Sequence, residues 1–254
     1  VAPITGPMLG GWLAALSGWP AIFYFLTGFG VLLVVLSLLG LPETLPQGMR
    51  RSGGIRSSWT AMGELLRQKP FMCYVGVQGF TMGGFFGYVA ASPFVLQGMY
   101  GLSPKTYSII FGCNAMSLML FAFATARNAR RLGEARLLRI GNTLRAVACV
   151  GVLAVTVVSP TSPVPLLIGL FFMIALQGMT LPTSFTIGIS AQNVGAGTAS
   201  GILGVSVFIF GALTSPLVGL AGGGTALPLG IVCAVTGVAS ALLGYVGERE
   251  LKKL

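Results

Sequence analysis

The side chains able to recognise a ligand stand alone in long apolar stretches. Gln78, Asn114, Gln177, Thr183 and Ser206 are polar groups of this kind, and Phe85, Phe86 and Tyr88 cluster near the first of them. Amides and hydroxyls offer hydrogen bonds, and aromatic faces suit flat apolar cations or amphiphiles. Two bland uses compete: aromatics turned to lipid, and polar groups bonded to a neighbouring helix. Covalent and acid–base chemistry is far more restricted. The 254 residues include no histidine and no aspartate, and the acids are Glu43, Glu64, Glu134, Glu248 and Glu250. A Ser-His-Asp triad, a His-Glu-x-x-His zinc helix and an aspartyl dyad each need a missing residue type. Cys73, Cys113, Cys149 and Cys233 lack metal spacing, and Gly222-Gly223-Gly224 is followed by no Lys-Ser/Thr pair. The pattern predicts no enzyme, no metal site and no bound cofactor.

The medium around these residues follows from composition. Hydrophobic residues make up 54% and charged residues 8%, with 15 Lys+Arg against 5 Asp+Glu for a net charge of +10. A water-soluble domain carries about a quarter charged residues, so this chain cannot cover a water-facing surface. The charges are also confined. None occurs from Val1 to Pro42 or from Ala146 to Gly247, and Lys105 stands alone between Phe71 and Ala126. Nucleic acid is therefore not the expected partner of the basic residues; a lipid bilayer is.

Turn residues divide the apolar stretches into eight predicted spans: 1–17, 20–42, 71–95, 104–126, 139–159, 164–187, 198–221 and 226–246. Lipid offers no partner to open backbone groups, and runs such as Val31-Leu32-Leu33-Val34-Val35-Leu36 lack strand alternation. The fold class expected is all-α, a polytopic transmembrane helix bundle. Alternate counting puts 46–70, 127–138, 188–197 and the tail on one side. Every Lys or Arg outside the spans lies there except Lys105, at the start of the fourth span. Arg139 and Arg145, at the same end of the fifth span, are expected to snorkel outward. The basic side is cytoplasmic by the positive-inside rule, so both chain ends are expected there.

Within the first span, Gly6 and Gly10 form a small-x-x-x-small pair, Gly11 follows, and Pro7 removes a backbone donor. Alone this fits either a packing kink or a gate. Val1 is not Met, and no basic segment precedes the first span, so a longer chain with an earlier part is expected.

Gly6-Pro7-x-x-Gly10-Gly11, with Ala2 ahead of it, resembles the antiporter motif of the major facilitator superfamily. Leu41-Pro42-Glu43-Thr44-Leu45 resembles the end of that family's sixth helix. Further landmarks resemble its Bcr/CflA drug-resistance branch: Ser92-Pro93-Phe94-Val95-Leu96, Tyr100-Gly101-Leu102-Ser103-Pro104, Ala196-Gly197-Thr198-Ala199-Ser200-Gly201 and Gly224-Thr225-Ala226-Leu227-Pro228. The resemblance implies a partial major facilitator fold covering helices five to twelve. It assigns 1–45 to the last two helices of an amino-terminal half, 46–70 to a basic cytoplasmic linker, and 71–254 to a six-helix bundle and basic tail. It also implies proton-coupled efflux of small amphiphilic or cationic drugs across a bacterial inner membrane, needing the missing amino-terminal helices. A sugar or amino-acid exporter and a non-transporting scaffold are the alternatives. Gly6, Pro7, Gly10 and Gly11 would be the gate. Gln78, Phe85, Phe86, Tyr88, Asn114, Gln177, Thr183 and Ser206 would line the cavity. Arg130, Arg131 and Gly133 match the family's cytoplasmic loop motif, here without its Asp. No glutamate falls inside a span, so the proton carrier is expected elsewhere.

Overall fold

The computed structural model describes residues 2–40, 54–158, 162–219 and 224–253. Expectations that rest on 41–53 lie outside these residues, including those for Glu43, Arg50 and Arg51. Parts of the turns at 159–163 and 222–225 lie outside as well, and so do the side chains of Gly6 and Pro7.

Every regular element among the described residues is helical. In chain order these are α1 (Ala2–Ser17), α2 (Pro20–Gly40), α3 (Gly54–Arg67), α4 (Lys69–Ser92), α5 (Pro104–Leu132), α6 (Glu134–Val158), α7 (Val164–Ser190), α8 (Ala196–Gly219) and α9 (Leu227–Leu251). A π-helical segment, Pro93–Met99, continues α4. Among the described residues, seven helices are long and apolar enough to cross a membrane. Sequence alone counts α1 as an eighth, but at 16 residues it falls short of the roughly 20 that span a bilayer core.

Two boundaries differ from the sequence expectation. The predicted loop at 127–138 is almost wholly helical. Arg127 to Leu132 contains good helix formers and no breaker, so α5 runs on past its apolar stretch. It stops at Gly133, whose φ of 77° and N–H bond to the Ala129 carbonyl make it the helix cap. The third predicted span ends at 95, whereas helical backbone reaches Met99. Pro93 has no N–H to donate, and the following turns widen, with the Tyr100 N–H reaching the Val95 carbonyl at 3.1 Å. Ser103 then caps α5 by accepting from the Thr106 N–H at 3.2 Å, with Pro104 at the first helical position.

The chain divides into two compact units, residues 1–57 and 58–254. In the first, α1 and α2 are joined at Gly18, whose φ is 74°. No residue of α2 is buried, and Phe23, Tyr24, Leu38 and Leu39 are exposed. A helix apolar on all sides belongs in lipid or against further helices. In the second unit, Leu65 of α3 packs on Phe71, Val75, Ala199 and Leu203. The other helices close through small residues. Lipid tails are as apolar as leucine, so close van der Waals fit has to replace the hydrophobic drive. Gly79 and Gly83 of α4 receive Phe210 and Thr214 of α8, and Gly211 of α8 receives Phe86. Gly237 of α9 lies against Cys149 of α6, and Gly141 of α6 against Met179 of α7.

Gly178 of α7 is the tightest of these in kind, because a Cβ there would meet backbone, the Leu118 carbonyl and the Ala122 amide nitrogen of α5. Backbone cannot rotate away. Gly178→Ala is expected to destabilise the bundle by about 1–3 kcal/mol. Gly204→Ala, where a Cβ meets nothing within 4 Å, should leave stability nearly unchanged. Thermal unfolding of the two variants in detergent checks the contrast.

Candidate ligand-recognition site

Helix α4 is the hub on which the predicted residues converge. Its successive faces meet different neighbours. Gln78 and Met82 meet α7, Phe80 and Phe86 meet α8, and Tyr88 meets α5. Gln78 is buried and its Nε2 donates to the Leu181 carbonyl at 2.8 Å and to Ser184 Oγ at 3.0 Å. The Tyr88 hydroxyl accepts from Asn114 Nδ2 at 2.9 Å, and its ring stacks on Phe111 with centroids 6.2 Å apart. Phe85, Phe86 and Tyr88 form a continuous aromatic run, with Phe86 also against Phe208. Gln177 Nε2 points at Met82 Sδ, 3.1 Å away, while its Oε1 is buried without a partner.

Other predicted residues are spent locally. Thr183 Oγ1 donates to the Met179 carbonyl at 2.6 Å, and Ser206 Oγ to the Leu203 carbonyl at 2.7 Å, each within its own helix. Ser206 nevertheless borders an apolar groove of about 710 Å³ between α3, α4 and α8, with Met62, Val75 and Phe210. Arg130 and Arg131 are exposed in the last turn of α5, where cations complement the helix dipole, and Gly133 supplies the stop. At Gly10 and Gly11 a Cβ would meet nothing within 4 Å, so no described residue packs on that face of α1.

Arg145 corrects the sequence expectation most sharply. It does not snorkel. Its side chain turns inward from α6 and is fully buried, 0% exposed. Nη2 donates to the Thr81 carbonyl of α4 at 3.0 Å, and neither Nε nor Nη1 has an acceptor among the described residues. A polar network lies beside it. Thr81 Oγ1 donates to Ser240 Oγ at 3.0 Å, since Ser240 gives its own proton to Asn142 Oδ1 at 2.8 Å. Asn142 Nδ2 returns a bond to the Ser240 carbonyl, also at 2.8 Å. Sequence reasoning missed this cluster. The available signal was spacing: Asn142 and Arg145 stand three apart on one helix face, as Thr236 and Ser240 stand four apart on another.

Apart from Lys105 in the first turn of α5, the remaining described charges of the bundle collect at one end. Arg139 grips Glu248 with Nε and Nη2, the Nε bond being 2.9 Å, and Lys252 adds a contact to the same carboxylate at 2.9 Å. Arg249 lies 4.4 Å from the Tyr245 ring centroid. Arg130 and Arg131 end α5, and Glu134 opens α6. An apolar belt bounded by one basic end, with buried amides facing inward, defines a multi-pass helical membrane protein.

The sequence agrees with this class. Residues 1–216 match the family model described as Major Facilitator Superfamily, and the chain belongs to that family, whose members are transporters rather than enzymes. It is 38% identical over 254 residues to the "Uncharacterized MFS-type transporter YdgK" of Bacillus subtilis (strain 168), covering 98% of this chain and 62% of that protein. It is 27% identical over 255 residues to a "Bicyclomycin resistance protein homolog" of Haemophilus influenzae, covering 99% and 63%. It is 25% identical over 206 residues to the "Multidrug resistance protein MdtL" of Klebsiella pneumoniae subsp. pneumoniae, covering 81% and 50%. The chain thus spans less than two thirds of the length of these relatives.

The Tyr88–Asn114 bond yields a direct test. Tyr88→Phe removes the acceptor and strands a buried amide donor, at an expected cost of about 1–3 kcal/mol. Asn114→Leu removes the donor as well, so the double variant should cost less than the two singles summed. A double-mutant cycle on thermal stability measures the coupling.

Proposed function

We propose that the whole protein is a secondary transporter of the Bcr/CflA type that exports small amphiphilic or cationic drugs by alternating access. In this reading residues 1–45 are the last two helices of an amino-terminal half, 46–70 a cytoplasmic linker, and 71–254 a carboxy-terminal six-helix bundle and basic tail. The eight spans then include α1, shortened to 16 residues. The observation that carries the proposal is α4. It presents a buried amide, an aromatic run and a Tyr–Asn pair on one central helix, and facilitator cavities lie near the midplane between repeats. Apolar and aromatic surfaces with few hydrogen-bonding groups suit flat, weakly specified ligands. The names of two relatives, bicyclomycin resistance and multidrug resistance, support the same substrate class.

Orientation follows from charge. The basic end that joins Arg130, Arg139, Arg249 and Lys252 faces the cytoplasm of a bacterial inner membrane, and both chain ends lie on that side. The energy source is the proton gradient. None of Glu43, Glu64, Glu134, Glu248 and Glu250 lies within an apolar belt, so the proton-carrying carboxylate belongs to an amino-terminal part of the whole protein. Gly6, Pro7, Gly10 and Gly11 form the gate: another helix closes on this open face of α1 in one access state.

Efflux of a fluorescent drug from cells expressing the full-length protein tests the reading. Export abolished by a protonophore is the expected result. Export of a sugar or an amino acid in place of drugs, or no export at all, would replace it. Each of the five glutamates changed singly to Gln should leave proton coupling intact. Gly10→Leu should abolish efflux at unchanged membrane abundance, because overpacking of about 1–3 kcal/mol is enough to rebalance two access states. Normal efflux by Gly10→Leu would reduce the motif to ordinary packing.

A further inference from the structure

Arg145 is an expensive residue with no structural need for its charge. A guanidinium is a permanent cation, and burial without a counter-ion carries a large desolvation penalty. Its single bond goes to a carbonyl on a helix. Among the described residues no carboxylate pairs with it, and two of its three nitrogens lack an acceptor. An apolar side chain of similar length would fill the same space between α4, α6 and α9 without that penalty. The fold also makes room for it. Gly84 of α4 faces the guanidinium, and a Cβ there would stand 3.0 Å from Nη2 and 2.6 Å from Thr236 Oγ1.

A matching defect lies on α7. Among the described residues, Gln177 Oε1 is the other buried side-chain atom without a partner, an acceptor where Arg145 has spare donors. Both residues touch one turn of α4, Arg145 through the Thr81 carbonyl and Gln177 through Met82. They stand at similar depth as well. Gly141 of α6 meets Met179 of α7 and Val152 meets Gly169, so an antiparallel register places Arg145 near the level of Gln177. The same turn leads directly into Phe85, Phe86 and Tyr88.

We propose that Arg145 is a positioning residue of the transport cycle. It holds the Thr81-Met82 turn of α4, and with it the aromatic run, in the access state seen here. When α4 shifts, its spare N–H groups take Gln177 Oε1 as acceptor. The charge is retained for this switching role at a cost in stability. The inference rests on the efflux reading above, and deepens it by naming a residue that acts through α4 rather than on substrate.

The experiment uses the full-length protein. Arg145→Met should raise the thermal midpoint in detergent, because an unpaired buried charge is removed. The same variant should slow drug efflux by roughly tenfold or more, since misplacing a substrate-bearing element is costly even at a distance. Its apparent KM should stay within about twofold, because the residue does not touch substrate. Arg145→Lys, which keeps the charge, should restore part of the rate. A merely structural residue would instead lose stability and efflux together, and that outcome, or normal efflux by Arg145→Met, overturns the proposal. A single cysteine at Phe86 in a cysteine-free background gives a second readout, its labelling rate by a membrane-impermeant maleimide. Arg145→Met should change that rate, and an unchanged rate overturns the proposal. Labelling needs no export, so it separates failure of this inference from failure of the efflux reading.

Discussion

Hydrocarbon offers no hydrogen bonds, and that constraint governs the whole bundle. Polar groups within the apolar part of a span can find partners only inside the protein. Most do so in the cheapest way, by donating to a carbonyl three or four residues back on the same helix, as Thr183, Ser206 and Thr236 do. The exceptions reach across to another helix and cluster around α4. Gln78, Thr81, Tyr88 and Thr214 each join α4 to a different neighbour. α4 is accordingly among the most buried of the described spans, and the bundle is organised about it.

Close packing supplies the rest. The association of helices in lipid cannot draw on the hydrophobic effect, so contact area and fit decide which faces meet. Glycine is the usual device here. Phe210 and Phe86 lie flat against glycines of the opposite helix, and Gly178 brings two backbones nearly together. The aromatic run of α4 is thus held both by Gly211 of α8, against Phe86, and by ring contacts of Phe86 with Phe208 and of Tyr88 with Phe111. The ion pairs around Glu248 sit at the exposed basic end, where solvent screens them, and add little to this packing.

Against that background an uncompensated guanidinium stands out. The Thr81–Ser240–Asn142 chain is satisfied throughout, each donor matched to an acceptor. Arg145, three residues from Asn142, is not. A fully satisfied buried network rigidifies a bundle, whereas an unpaired buried polar group is costly in a low dielectric.

Sequence by itself determined the medium, the helical class and the family. These depend on composition, charge placement and short backbone signals, all of which are local: 8% charged residues, basic residues gathered in short clusters between long uncharged stretches, and turns punctuated by Gly18, Gly101 and Gly133. It also pointed to Gln78, Tyr88, Asn114 and Gln177, because a polar group in an apolar stretch is conspicuous in one dimension. What only the tertiary structure decided is direction and partnership. Arg145 near the end of its apolar stretch can equally snorkel to water or turn inward, and periodicity does not distinguish these. The choice came from Gly84 of α4, sixty-one residues away in sequence, which leaves space for the guanidinium. Thr183 and Ser206 were equally conspicuous, yet their hydroxyls bond carbonyls of their own helices. Pairings such as Tyr88 with Asn114 and Thr81 with Ser240 join residues on different helices, and only helix packing brings them within reach.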